Sequence, residues 1–482
     1  MNSETKKNWF SEDKNQKIII YLSAAFFILL WIPLAITKNT AYDQTYTVAM
    51  VRHSFSEMIA LCSNDVHSPL YYFIAKIFYH LFFNQIFGLK ICSLVFMALY
   101  FALLAFPFRK EFGNHMAFTM IVLSGTLGTF ITHNTEPRMY TMSITAFAAL
   151  SFVGYKILKE FKIKYAIYFF LLSVFCTYIH TFTMLSAVLL YLCMAVAVVM
   201  IKEDRKKRII WFLINAFLVS VTYLPWLFSL LKQFGEKAEG VNTQYDTVFY
   251  LKDLCYEMFS SIMYPKKYQV MLWLIIFCIA LVLLAIKKTP YMNYVISGVI
   301  IFVAVSGIGI IVSLKNSPCF MGRYVSCIFP LILFGIAAAL DTMEKKYLTG
   351  AVILLAIISS VLIYRDRLVY EFDPGLDGFI EFTKNNLDED DAYLYANIHN
   401  DSLSVFAPDI YTFNYGNTSS YNPFFNDETF IDYAQFDKIK GDVYLVCYDD
   451  KDASWYLSCE AEKVYGFHYL YYDVSIYRIY GW

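Results

Sequence analysis

The sequence predicts a polytopic α-helical membrane protein that ends in a small extracytoplasmic α/β domain. Three observations lead there. Of 482 residues, 58% are hydrophobic and 16% charged, whereas soluble domains carry roughly 25% charged residues. About eleven apolar runs are long enough to cross a hydrocarbon core about 30 Å thick. The net charge of −1 is an average of two opposite parts, since residues 1–363 carry +13 and residues 364–482 carry −14. A wholly soluble enzyme, a disordered chain and a nucleic-acid binder are thereby excluded, the last because the compact polar region is acidic and would repel phosphate.

Lys6, Lys7, Lys14 and Lys17 precede the first run, Ile18 to Thr37. A cleaved signal peptide would have a shorter apolar stretch and a small-residue cleavage site, so this run reads as a retained signal anchor with a cytoplasmic amino terminus. Further runs cover 86–108, 116–132, 139–158, 164–180, 182–201, 209–231, 268–286, 293–313, 324–341 and 346–363. Alternate connections are basic: Arg109 with Lys110, Lys156 to Lys164, Lys202 to Arg208, Lys287 with Lys288, and Lys345 with Lys346. Those five belong in the cytoplasm of a plasma-membrane protein. An odd number of crossings then leaves the acidic tail outside, in agreement with the charge pattern.

The first outer loop, 38–84, holds two shorter helical stretches expected on the membrane surface. Leu70 to Phe83 is apolar but only about 14 residues long and contains Lys76 and His80, and Tyr42 to Leu61 has helical spacing. In the tail, the aromatic and β-branched runs Tyr393 to Ile398, Val443 to Tyr448 and Val474 to Tyr480 predict strands, and Gly375 to Lys384 a helix. No phosphate loop, HExxH or zinc-type CxxC occurs there, so its expected role is acceptor docking or a lid. Half of the ten cysteines lie within spans, and the ten carry no metal spacing; Cys447 and Cys459, in the tail, could pair.

Polar groups at the outward ends of spans carry the chemistry, because ionisable side chains near a bilayer are costly and tend to be functional. Asp43 follows the first span, Asp65 and His67 lie in NDVHSPLYY, Glu136 and Arg138 in THNTEPRMY, His180 ends a span in TYIHTF, and Arg323 opens one in CFMGRY. The charge-derived topology places all of them on one membrane face. Each has a plainer reading alone: Asp43 as a solvated loop carboxylate, His67 at a helix start, Glu136 bridging Arg138, and Arg323 snorkelling to headgroups. Together they suit transfer of a group from a lipid phosphate, with a carboxylate to take the acceptor's proton and cations to hold the departing phosphate. Arginine fits the second task because its planar fork grips phosphate oxygens without losing charge.

Over residues 18–363 the chain resembles the GT-C superfamily of membrane glycosyltransferases, in the branch of protein O-mannosyltransferases and lipid A aminoarabinose transferases. The resemblance rests on Asp43 after the first span, a D-x-H-P-P-L-Y-Y-like motif (Asp65, His67, Ser68, Pro69, Leu70, Tyr71, Tyr72), an E-A-R-M-Y-like motif (Glu136, Pro137, Arg138, Met139, Tyr140), the Tyr178, His180, Thr181, Phe182 element, and Arg323 with Tyr324. It implies a GT-C-like bundle, a polyprenyl-phosphate sugar donor, inversion at the anomeric carbon and Asp43 as base. Asp65 would add a second carboxylate, Arg138, His180, Arg323 and Tyr324 would bind the lipid phosphate, and His67, Tyr71, Glu136 and Tyr140 would serve the acceptor or the structure. Ser68 and Pro137 depart from the usual Pro and Ala. Gln44 stands where a second acidic residue is usual, so a divalent cation is left open. The acceptor is a protein, glycolipid or wall polymer. The rival readings are a non-catalytic transporter of lipid-linked saccharide, which needs no base, and a scaffold acting through its acidic tail.

Overall fold

The computed structural model describes residues 13–65, 67–83, 85–235, 245–260, 267–287, 289–315, 319–343, 346–388, 390–395, 403, 405–406, 411–414, 439–448, 460–469 and 472–480. They form two compact units. The first comprises residues up to Ala35, Val66–Tyr71 and Lys90–Arg367; the second comprises Ile36–Asp65, Tyr72–Leu89 and Leu368 onward.

Every apolar run of the sequence is helical. In order these are α1 (Asp13–Ala35), α5 (Ile86–Leu103) continuing into α6 (Arg109–Phe112), α7 (Asn114–Thr126) with α8 (Gly128–His133), α9 (Tyr140–Lys159), α10 (Ile163–Ile179), α11 (Thr181–Met200), α12 (Arg205–Gly235), α14 (Lys267–Ile286), α15 (Met292–Lys315), α16 (Phe329–Asp341) and α17 (Lys346–Glu371). Among the described residues, nine helices are long and apolar enough to cross a membrane. Two predicted runs differ from that length. The run at 164–180 is a 17-residue helix. The run at 116–132 is broken at Leu127, whose backbone is extended (ψ 139°), and Met116 to His133 is almost wholly buried. An interior segment need not span the bilayer unbroken, because its backbone groups are sheltered by protein.

Between α5 and α6 the helix widens into a π turn, Leu104–Phe108, around Pro107. A mid-helix proline has no N–H to donate and crowds the carbonyl four residues back, and the wider turn accommodates both. The remaining helix of this unit, α13 (Thr247–Phe259), is capped by Asp246, whose carboxylate accepts from the Phe249 N–H at 2.7 Å.

The second unit gathers the first-loop helices with the C-terminal sheet. The stretch expected as one helix from Tyr42 to Leu61 is two, α2 (Tyr42–Arg52) and α3 (Phe55–Asn64). Ser54 causes the break: its hydroxyl accepts from the Glu57 N–H while Glu57 accepts from the Ser54 N–H at 2.6 Å, a reciprocal cap that starts a new helix. With α4 (Leu70–Leu81), the loop holds three helices where two were expected. The chain closes with α18 (Gly375–Asn386) and strands β1 (Ala392–Tyr395), β2 (Tyr411–Asn414), β3 (Val443–Tyr448), β4 (Glu460–Tyr469) and β5 (Tyr472–Tyr480). Their sheet order is β2-β1-β3-β5-β4, parallel among the first three and antiparallel through β5. Phe379 and Phe382 of α18 stack on Phe467 and Tyr465 of β4, at 5.4 and 4.5 Å between ring centres. Bonds that tie loop to tail include those from Asn39 Nδ2 to the Tyr370 and Asp373 carbonyls (3.0 and 2.8 Å) and from Arg52 Nη2 to that of Val405 (2.8 Å). Cys459 lies outside the described residues, and with it the Cys447 pairing.

Candidate active site

Glu136 precedes Pro137, and a residue before proline is disfavoured in helical conformation. The chain therefore leaves α8 and makes a buried turn before α9 resumes at Tyr140. Ser93 of α5 donates its hydroxyl to the Glu136 carbonyl, which also accepts from the Arg138 N–H at 2.7 Å. Two candidate site side chains, Glu136 and Arg138, are thus presented from a braced turn inside the first unit.

The Glu136 carboxylate belongs to a buried charge network. His133 Nδ1 lies 2.6 Å from Glu136 Oε2, and its Nε2 lies 3.7 Å from Glu257 Oε2 on α13. Tyr140 flanks the same imidazole, 4.6 Å between ring centres. Arg367 Nη1, near the end of α17, stands 3.8 Å from Glu136 Oε1. His133, Glu257 and Arg367 are each at most 2% exposed. Burial alone would push the Glu136 carboxyl up, but His133, Arg367 and Arg323 together hold it below the ordinary carboxylate value. Glu136 is therefore a carboxylate held between the His133 imidazole and the Arg367 guanidinium.

A cationic cluster adjoins this network. Arg138 is 3% exposed and donates from Nη2 to His67 Nε2 at 3.0 Å. A guanidinium can only donate, so Nε2 accepts and the proton of His67 sits on Nδ1. That bond does not cancel the guanidinium's charge. His180 is the one non-helical residue between α10 and α11, and it lies in the electrostatic field of His67, Arg138 and Arg323. Arg323 and Tyr324 stand in the 3-10 turn Gly322–Ile328 that leads into α16. Tyr324 packs against His180 (5.1 Å) and Phe182 (5.3 Å), and the Arg323 guanidinium lies 5.8 Å from the Tyr324 ring centre.

Helix α13 seats on this region through two close approaches. A Cβ on Gly128 would stand 2.1 Å from the Ser260 carbonyl oxygen, and one on Gly322 would stand 2.7 Å from Leu254 Cα. Only glycine fits either place. Asp253 Oδ2 accepts from the Gly322 N–H at 2.6 Å. Burial pushes the Asp253 carboxyl up, against the opposing pull of that N–H and of Arg323.

His67, Glu136, Arg138, His180, Arg323 and Tyr324 therefore come together within the first unit, and Tyr71 and Tyr140 are buried there too. Asp43 and Asp65 belong to the second unit. Asp43 lies in the first turn of α2, where a carboxylate complements the helix dipole. Asp65 caps the end of α3 and accepts from the Tyr46 hydroxyl. Burial first, then the Asp65 carboxylate, push that phenol well above its ordinary value, so it stays a donor. Among the described residues, no three His, Cys, Asp or Glu side chains are grouped as metal ligands would be.

Sequence reasoning did not single out His133, Asp253, Glu257 or Arg367. The His133 and Glu136 pair is legible afterwards as an i, i+3 spacing. Asp253 and Glu257 are likewise one helical turn apart, on α13.

No protein-family model matches the chain, and no curated protein matches it. Solved structures do. ArnT from Cupriavidus metallidurans in the apo state superposes with a TM-score of 0.63 at 10% identity, covering 95% of this chain and 97% of that one. The same ArnT bound to undecaprenyl phosphate gives 0.62 at 11% identity over the same shares. From its first helix to its terminal sheet, the chain has the ArnT fold, the GT-C-like membrane architecture implied by its motifs.

Proposed function

We propose that this protein is a membrane glycosyltransferase that moves a sugar from a polyprenyl-phosphate carrier to an extracytoplasmic acceptor, with inversion. The observation that carries the reading is the whole-length likeness to ArnT, one of whose structures holds undecaprenyl phosphate. The cluster of buried Arg138 and half-buried Arg323, with the buried His180 imidazole beside them, supports it, since fixed guanidinium groups partly screened from water stabilise a departing phosphate better than solvated ones.

In the proposed step the acceptor hydroxyl oxygen attacks the anomeric carbon, and the bond from that carbon to the phosphate oxygen breaks. The hydroxyl proton passes to Asp43. Polyprenyl phosphate leaves with its added negative charge held by Arg138 and Arg323, against His180 and Tyr324. Asp65 is a second carboxylate and shapes, with His67, the acceptor or cation side, while Tyr71, Glu136 and Tyr140 position the others. We retain 1–363 as the membrane domain, with the amino terminus cytoplasmic, and 364–482 as the extracytoplasmic one.

The test is purified protein in liposomes with a panel of polyprenyl-phosphate sugars, read for free polyprenyl phosphate. Asp43→Asn should cut turnover about 10²- to 10⁴-fold, the usual worth of a general base, and leave donor binding intact. Saccharide flux that persists in Asp43→Asn, with no carrier phosphate released by the native protein, would identify a transporter instead.

A further inference from the structure

At the far ends of α10 and α12 the first unit carries a groove of about 890 Å³ that the proposed reaction does not use. Its rim holds Lys202, Arg205, Lys206 and Lys207, with Asp204 as the single lining acid. Below the rim the wall turns apolar. Ile163 is 70% exposed, Ile210 47% and Ile214 53%, and the rings of Phe161 and Trp211 close the groove edge to face at 5.8 Å. Cationic rim and apolar wall meet along one line, which is the profile of an amphiphile with an anionic head.

The groove is built, not an accident of a loose loop. Arg208, 2% exposed, donates to the carbonyls of Ile157, Leu158 and Glu203, stapling the basic turn to the end of α9. Asp204 takes a left-handed conformation (φ 49°), a costly choice for a non-glycine that makes the sharp turn into α12. The Lys207 ammonium stands 5.2 Å from the Phe161 ring centre, at the edge of the groove.

We propose that this groove binds one anionic phospholipid of the leaflet on the side that the charge pattern assigns to the cytoplasm. The phosphate sits among Lys202, Arg205, Lys206 and Lys207, and the acyl chains run down Ile163, Ile210 and Ile214. A free anion would make no use of the apolar wall, and a zwitterionic lipid would meet a net charge of +3 across the lining side chains.

Native mass spectrometry of the full-length protein, given equimolar phosphatidylglycerol and phosphatidylcholine of identical chains, tests the proposal. Phosphatidylglycerol should be retained in preference, each lysine changed in Lys206→Gln and Lys207→Gln should lower the preference about fivefold, and millimolar inorganic phosphate should not displace the lipid. Equal retention of the two lipids, a preference unmoved in the double variant, or displacement by phosphate alone would each overturn it. A second measurement does not depend on the lysine variants. Quenching of Trp211 by lipids with brominated chains, isolated by subtracting Trp211→Phe, should be stronger with phosphatidylglycerol than with phosphatidylcholine, and equal quenching refutes the site.

Discussion

Arg367→Met isolates the buried charge network from the rest of the bundle. Arg367 and Glu136 stand 3.8 Å apart and are nearly inaccessible to water. At an effective dielectric near 20, unit charges at that separation attract by about 4 kcal/mol, and breaking a buried pair from one side costs about 3–5 kcal/mol because the remaining charge stays buried. His133 still faces Glu136 in the variant, so the expected loss is at the lower end, about 3 kcal/mol. Methionine reproduces the aliphatic stem of arginine and adapts its shape, which limits the cavity contribution to the space of the guanidinium. Equilibrium unfolding in mixed detergent, run for Arg367→Met, Glu136→Gln and the double variant, reads the coupling directly. The double variant should recover more than about 1 kcal/mol of the summed losses. If Arg367→Met costs less than about 0.5 kcal/mol, or the two changes simply add, the network does not hold the turn that carries Arg138.

The remaining predictions concern neighbouring parts. Because the Glu136 carboxyl is held below its ordinary value of 4.5, its stabilisation is complete above that pH and is lost as pH falls through the lowered value; wild type should therefore lose stability more steeply than Glu136→Gln only below about pH 4.5. Arg138→Lys should weaken donor binding on the order of tenfold, since an ammonium cannot reproduce the guanidinium fork, and an unchanged donor KM would count against its role. Ser54→Ala should loosen the start of α3 by about 1 kcal/mol, seen as faster amide exchange at 55–58 with exchange in α2 unaltered. Tyr46→Phe should cost about 1–3 kcal/mol by removing a donor from the Asp65 carboxylate; a variant as stable as wild type would show the bond to be dispensable.

The helical inventory of the bundle was legible because bilayer thickness sets the length of an apolar run, and each run returned as helix, the one at 116–132 in two pieces. The finer breaks were legible only where a local rule marks them. Ser54 and Glu57 spell out the reciprocal cap that divides 42–61, whereas Thr126, Leu127 and Gly128 bear no comparable mark. That interruption lies beside the close approach of Gly128 to Ser260, more than a hundred residues away. The cationic half of the site could be read because Arg138, His180 and Arg323 stand out against apolar sequence. Glu257 and Arg367 could not be joined to it, since each lies in a polar stretch where a charge is ordinary, and only packing of distant helices makes them partners. Nor could the sequence tell where α17 stops: polar residues past 363 do not end a helix, so Arg367 continues the same rod.

Gly128 and Gly322 give the anion and cation networks a common spacer. Each is a missing methyl group, and the thickness of that gap sets how closely α13 rides on its neighbours. A single added carbon at either place would pry Glu257 away from His133, or Asp253 from the amide beside Arg323, without altering one ionisable group. The electrostatics of the site are therefore adjustable by steric means alone, at positions that carry no charge.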